Sequence, residues 1–293
     1  MQLDDHLINK ILSYRGKHPI ITGCIPRCVM SVWDLLEVAI RDNKIVLVQW
    51  LILLGFEKFV KDHVCDLAAL NGHLSTLQWA RANGCRWDER TCRYAAENGH
   101  LHILKWLRAN GCQWDETTCA EATRYGNFKV LKWLRVNQCP WDQETCINAC
   151  EINNTEILEW ILDNGWVGDC SPIALCAIKN GDLKLLKRVK DLNCEMDEDM
   201  FEYAARIGDL DTLKFLKDNN CPWDEYVCEA AAYFGHFEVL KWLRINNCPW
   251  DGDTYARALA RGHKEICKWL CDNGCPWVDV TSERIKELSY FNY

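Results

Sequence analysis

The chain lacks any apolar run long enough to cross a bilayer as a helix, which takes about 20 residues. It also lacks an excess of positive charge: 34 Lys and Arg stand against 42 Asp and Glu, a net charge of −8. That balance argues against the phosphate-neutralising surface nucleic-acid binding needs, and against anionic membranes. The opening MQLDDHLINKILSY places acids where a secretory signal would carry positive charge, so a non-exported, cytoplasmic protein is expected. No phosphate-cradling glycine loop or zincin motif is present. Nor does any His, Ser or Cys stand out with a partner constellation, so no enzyme is expected. No composition break marks a linker, and a single elongated domain is expected.

What the chain has in quantity is repetition. Cys85, Cys112 and Cys139 are 27 residues apart, Trp166 keeps the register, one residue is inserted, and Cys194, Cys221, Cys248 and Cys275 continue at 27. A fixed period between about 20 and 50 residues marks a solenoid, in which each repeat buries its apolar face only against its neighbours. The segment Asp88–Trp114 shows the physics. Asp88 stands at a helix N-cap, Glu89 lies in the first turn, and Cys92, Ala95 and Ala96 share one helical face. Asn98-Gly99 ends this first helix. After His100, Ile103, Leu104 and Leu107 form the stripe of a second helix, Lys105 and Arg108 complement its C-terminal dipole, and Asn110-Gly111 closes it. The small Ala and Cys residues on the first helices predict close helix approach.

Counting repeats by the first core position of the first helix gives Leu36, Cys65, Cys92, Cys119, Cys146, Ile173, Phe201, Cys228 and Tyr255. The expected fold class is therefore all-α, a solenoid of about nine helix pairs. Its expected divisions are an N-terminal capping segment over 1–31, the array over 32–278 and a C-terminal capping helix over 279–293. The first spacing, 29 residues, and the sixth repeat, with Asn180-Gly181 one residue late, are irregular.

The segments TCRYAAENGHLHILKWLRANG and VCEAAAYFGHFEVLKWLRINN resemble ankyrin repeats: Ala-Ala, Gly-His, paired aliphatics, Leu and terminal Gly fall at ankyrin spacings, with Cys92 and Cys228 in place of the usual leucine. The repeat is shorter than the ankyrin unit and leaves no room for a β-hairpin finger between Gly111 and Cys119. This short Cys-Pro-Trp-Asp type resembles the arrays expanded in large DNA viruses of protists and in some algae and protists; for a viral chain the expected location is the host cytoplasm. The resemblance implies a protein partner bound along the concave side, lined by the first helices. Their outer positions in the ankyrin frame include Tyr94, Glu97, Glu121, Arg124, Tyr125, Asn148, Glu151, Tyr203, Arg206, Tyr233, Phe234 and Arg257, the candidate partner-binding residues, with Ile207 and Arg261 beside them. Aromatics and arginine are enriched at interface hot spots.

Other constellations have structural explanations. Six tryptophans occupy the loop (Trp87, Trp114, Trp141, Trp223, Trp250, Trp277) and six the second helices (Trp79, Trp106, Trp133, Trp160, Trp242, Trp269). An exposed ladder could stack bases or sugars, but their place beside the core stripe predicts packing between repeats. His263, Cys267, Cys271 and Cys275 have a spacing that could serve zinc, yet each falls on a recurrent core or turn position, so no metal, other cofactor or small-molecule substrate is expected. The histidines after glycine, His73, His100, His236 and His263, are expected to bond to the backbone of a neighbouring repeat. Nineteen cysteines, an odd number in a long chain without an export signal, are expected to be reduced thiols. LDDHLINKILSY also resembles the start of an F-box, which makes a ubiquitin-ligase substrate receptor an alternative function; a structural component of a particle or complex is another.

Overall fold

The computed structural model describes residues 31–194 and 196–276; the N-terminal capping and F-box-like segment up to residue 30, Trp277 and the C-terminal capping helix lie outside them. The chain divides at residues 152 and 153 into two compact units. In the first, helices α1 (Val32–Arg41), α3 (Glu57–Leu70), α5 (Glu89–Glu97), α7 (Glu116–Arg124) and α9 (Gln143–Glu151) are the first helices of their repeats. They alternate with the second helices α2 (Ile45–Leu51), α4 (Leu74–Ala82), α6 (Leu101–Ala109) and α8 (Phe128–Val136). The second unit opens with α10 (Thr155–Asp163), followed by the pairs α11 (Ser171–Lys179) and α12 (Leu183–Asp191), α13 (Glu198–Ile207) and α14 (Leu210–Asp218), α15 (Glu225–Phe234) and α16 (Phe237–Ile245), α17 (Gly252–Ala260) and α18 (Lys264–Asp272). Every element among the described residues is helical, so the fold is an all-α solenoid type without β-hairpin fingers, and the single elongated domain expected from composition becomes two compact units.

The first helices start where the sequence places aspartate. Asp88, Asp115, Asp142, Asp197, Asp224 and Asp251 are N-caps whose carboxylates accept backbone N–H groups of the first turn. Successive first helices then pack side by side, α3 on α5 on α7 on α9 in one unit and α11 on α13 on α15 on α17 in the other. Ala95, Ala96, Ala122, Ala149, Ala204, Ala205, Ala231 and Ala258 are completely buried between them. Of the nine first core positions only Tyr255 is not fully enclosed; it is half-buried. Within each unit a second helix lies against its own first helix, as α6 does on α5 through Ile103 and Leu104 and α16 on α15 through Val239 and Leu240.

The Gly-His dipeptide has a double cause. Gly208 ends α13 at φ 78°, a left-handed conformation that a side chain disfavours. The ring of His236, from the next repeat, covers it so closely that a Cβ there would lie 2.5 Å from Nδ1. The same ring donates from Nε2 to the Arg206 carbonyl at 2.9 Å, satisfying a helix-end acceptor. His73, His100 and His263 do the same for the carbonyls of Arg41, Leu70 and Tyr233, and Asn127 substitutes on Ala96 and Glu97. These histidines are inter-repeat clamps, as the turn position predicts.

The tryptophans fill the space between successive second helices. Trp87 stands edge-on to Trp106 at 5.6 Å with the Arg81 guanidinium 3.8 Å above its other side; Trp114 is held by Trp133 at 5.8 Å and Arg108 at 4.2 Å; Trp250 by Trp269 at 5.9 Å and Arg244 at 3.8 Å. Arg135 lies 4.0 Å over Trp141 and donates to the Cys139 carbonyl. On a single second helix Arg108 and Arg135 fall on the convex side, where surface charges are expected; both instead grip a loop tryptophan and a loop carbonyl.

The thiols knit the same joints. Cys112, Cys139, Cys221, Cys248 and Cys275 donate from Sγ to the carbonyls of Asp88, Asp115, Asp197, Asp224 and Asp251, always 24 residues back. Burial pushes the Cys65 thiol up to about 12 and that of Cys275 up to about 11, so these groups stay protonated and unreactive. In the sixth repeat the cap position is Cys170, and the thiol 24 residues on, Cys194, forms a disulfide with it, with Cα atoms 5.8 Å apart. The expectation of uniformly reduced cysteines fails here, because the register that elsewhere brings a thiol to a carbonyl brings two half-buried sulfurs together.

Two outcomes follow. Arg135→Ala should lower stability by about 1 kcal/mol, from the lost stacking and hydrogen bond, in urea melts that leave Lys105→Ala unchanged. Alkylation of denatured protein followed by mass spectrometry should find Cys170 and Cys194 protected until reductant is added. Reduction or Cys194→Ser should destabilise the second unit by about 3 kcal/mol.

Candidate functional site

The outer edge of the first helices is where side chains escape core duty. In the first unit Tyr125, just past α7, is 55% exposed, and Arg124 and Glu151 are exposed as well. Tyr94, Glu97 and Glu121 are half-buried, with Arg93 5.2 Å over the Tyr94 ring. The Glu97 carboxylate, bonded to the Tyr125 hydroxyl and aided by burial and Glu121, raises that hydroxyl above its ordinary value.

Asn148 is not on the surface. It is 2% exposed between α7 and α9, where Nδ2 donates to the Ala120 carbonyl at 3.0 Å. A short polar side chain at this helix contact is drawn inward to bond a neighbour's backbone, so Asn148 is corrected from a contact residue to a packing residue.

In the second unit the edge forms a ladder of rings and cations. Lys179 Nζ lies 4.9 Å over Tyr203, Arg206 stands 5.1 Å from Tyr203 and 5.6 Å from Phe234, Phe234 meets Tyr233 edge-on at 5.0 Å, and Arg261 covers Tyr233 at 4.6 Å. Tyr203, Arg206 and Phe234 are half-buried. Tyr233, expected to be exposed, is 5% exposed: Phe234 and Arg261 enclose its ring. Arg257 is also engaged, its Nε 2.6 Å from Oε2 of Glu229, which is itself buried.

Burial pushes the Glu229 carboxyl up to about 7, although the hydrogen bond and charge of Arg257 oppose the shift. Glu229 also lies near Asp251 and Asp253, a trio of acids close enough to share a cation. Arg257 already neutralises one member, and Asp251 is occupied as the cap of α17, so the trio reads as structure. His263 and Cys275 face two different carbonyls, which leaves the four-residue zinc pattern without a common centre among the described residues. A surface depression of about 670 Å³ in the first unit is lined by Asp62, His63, Asp66, Arg81, Arg86, Trp87, Asp88 and Arg90. Its charges answer one another in the pairs Arg86–Asp62, Arg90–Asp66 and Arg90–Asp88.

Of the residues expected on this edge, Arg124, Tyr125 and Glu151 are exposed while Asn148 and Tyr233 are buried, and reasoning from the sequence missed Lys179 and the continuity of the ladder. The available signal was register: Lys179 stands nine residues after its cap, as Arg206 and Tyr233 do, and Phe234 and Arg261 stand ten after theirs.

No family model and no curated protein matches the chain. Among solved structures, the human ASB11 ankyrin repeat domain aligns with 53% of this chain and 82% of that one, at 20% identity and a TM-score of 0.42. The pentatricopeptide repeat protein PPR10, in complex with an 18-nt psaJ RNA element, aligns with 96% of this chain at 12% identity and a TM-score of 0.57. A cysteine-substituted form of it aligns with the same values. This chain covers 48% of that protein's length, and the likeness shows a shared architecture of stacked helical hairpins.

The Glu229 carboxyl sets a pH dependence. Its folded value, about 7, lies above the ordinary 4.5. The folded state therefore binds more protons between these values, and this group's stabilisation is full below about 4.5 and lost as pH rises through 7. Urea melts should show a loss on the order of 2 kcal/mol from pH 4.5 to 8 that Glu229→Gln largely removes.

Proposed function

We propose that the chain is a protein-interaction scaffold of ankyrin-like type that holds a partner along the outer edge of its first helices. The observation that carries this reading is the division of labour within each first helix. One face is completely buried against the next repeat, while the C-terminal edge presents Arg124, Tyr125 and Glu151 in one unit and Arg206 and Phe234 in the other. A rigid row of aromatic and guanidinium groups loses little conformational freedom when a partner docks. The net charge of −8 and the acids of the first unit's edge favour a protein over a nucleic acid. We place it in the cytoplasm, without a cofactor or a small-molecule substrate, and in the host cytoplasm if the origin is viral. The RNA in the pentatricopeptide complex belongs to that protein and does not alter this reading.

The test is affinity capture from the native cell with identification by mass spectrometry, followed by edge variants. Arg124→Ala, Tyr125→Ala and Phe234→Ala should leave the melting temperature within about 2 °C of the parent and weaken capture, by about 2 kcal/mol where a hot spot is hit. Tyr233→Ala should lower stability, because its ring is enclosed. Capture that survives all three edge variants and disappears on deletion of residues 1–31 would move the F-box-like receptor ahead; stoichiometric recovery in a purified assembly would favour the particle component.

A further inference from the structure

We propose that the ladder in the second unit is a docking surface for an acidic peptide segment, a stretch of a partner protein rich in glutamate and aspartate; this rests on the scaffold reading and names the chemistry of the partner. Across α11, α13, α15 and the end of α17 the groups follow in the order Lys179, Tyr203, Arg206, Phe234, Tyr233, Arg261. A cation lying over a ring keeps its charge, and a stacked guanidinium keeps its N–H edge directed outward for a carboxylate. The rings fix the cations in place, so fewer rotamers are lost when an anion arrives.

The charge balance of this edge is local and positive. Lys179 and Arg261 are exposed, and among the described residues neither has a carboxylate in ion-pair range. Arg206 has Glu202 at 3.9 Å, and burial raises the Glu202 carboxyl; Arg257 and Glu229 cancel one another. The equivalent edge of the first unit carries Glu97, Arg124 and Glu151, with the opposite surplus, so the cations are not imposed by the repeat. The partner complementary to three spaced cations on aromatic supports is a chain with spaced carboxylates. The continuous charge of a polynucleotide calls for a denser row of cations than three separated along the repeats.

The experiment uses the full chain and a fluorescein-labelled octaglutamate peptide in fluorescence polarisation, with octalysine and octauridylate as comparisons. Octaglutamate should bind at low salt, weaken as salt rises, and lose about tenfold in affinity in the double variant Lys179→Ala, Arg261→Ala, measured at a temperature where its circular-dichroism signal equals the parent's. Tyr125→Ala should leave this binding unchanged. If the double variant melts early, Lys179→Gln alone gives the reading. Absence of octaglutamate binding at low salt, binding that survives the cation variants, or octauridylate bound as tightly as octaglutamate would each overturn the proposal. Either of the first two results, found alongside partner capture that still depends on Tyr125, would leave the scaffold reading standing and remove only the acidic-segment assignment.

Discussion

The contact between successive first helices governs the rest of the molecule. Alanine and cysteine at the facing positions remove the bulk that would hold these helices apart, and the residues involved, Ala95, Ala96, Ala122, Ala204 and Ala231 among them, lose all their solvent exposure. Once the first helices are that close, the second helices, carried on their outer side, leave gaps that small residues cannot fill. The loop tryptophans occupy those gaps, each wedged between a cation from the preceding second helix and an indole from the following one. The shortness of the repeat and its tryptophan content are therefore two sides of one packing solution: without a hairpin finger, a large flat ring is the element that spans the joint.

That arrangement explains why the candidate surface is an edge and not a face. Three sides of a first helix inside its unit are committed, to the preceding helix, the following helix and the second helix of the same repeat, as the contacts of α5 with α3, α7 and α6 show. The C-terminal margin escapes, together with first-turn residues such as Glu89, Arg90 and Tyr226, and at that margin the stacking reclaims residues. Asn148 turns in to the Ala120 carbonyl, Tyr233 is covered by its neighbours, and Arg257 is spent on a buried glutamate. The remaining exposed groups differ between the units in charge and in aromatic content, which is the property expected of positions free to be chosen for a partner.

Much of this was legible in the period alone. The helix pairs, the aspartate caps, the histidine clamps and the packing role of the tryptophans all follow from reading one 27-residue frame with helix geometry, because each depends on residues within a repeat or on the turn joining its helices. The contacts that reading missed reach across repeats. Arg135 was taken for a surface charge because its partner, Trp141, sits in the following loop, six residues on, where a helical wheel has no meaning. Tyr233 was taken for exposed because a single repeat does not contain Arg261, which comes from the next one.

The disulfide shows the same limit most sharply. Five loop thiols bond a cap carbonyl 24 residues earlier, a contact with the backbone and thus indifferent to the cap's side chain. In the sixth repeat the cap side chain is itself a thiol, and the same register converts a weak S–H···O contact into a covalent bond between Cys170 and Cys194. The change is a single residue type at one position of a repeat, invisible to any count of cysteines; Cys170 makes no side-chain cap of its own, and the first N–H of α11 is taken instead by the carboxylate of Asp169, 2.9 Å away. At this helix start the covalent tie therefore stands beside an aspartate that has moved one residue earlier. A repeat array can accept such a shift because the neighbouring repeats hold the backbone in register.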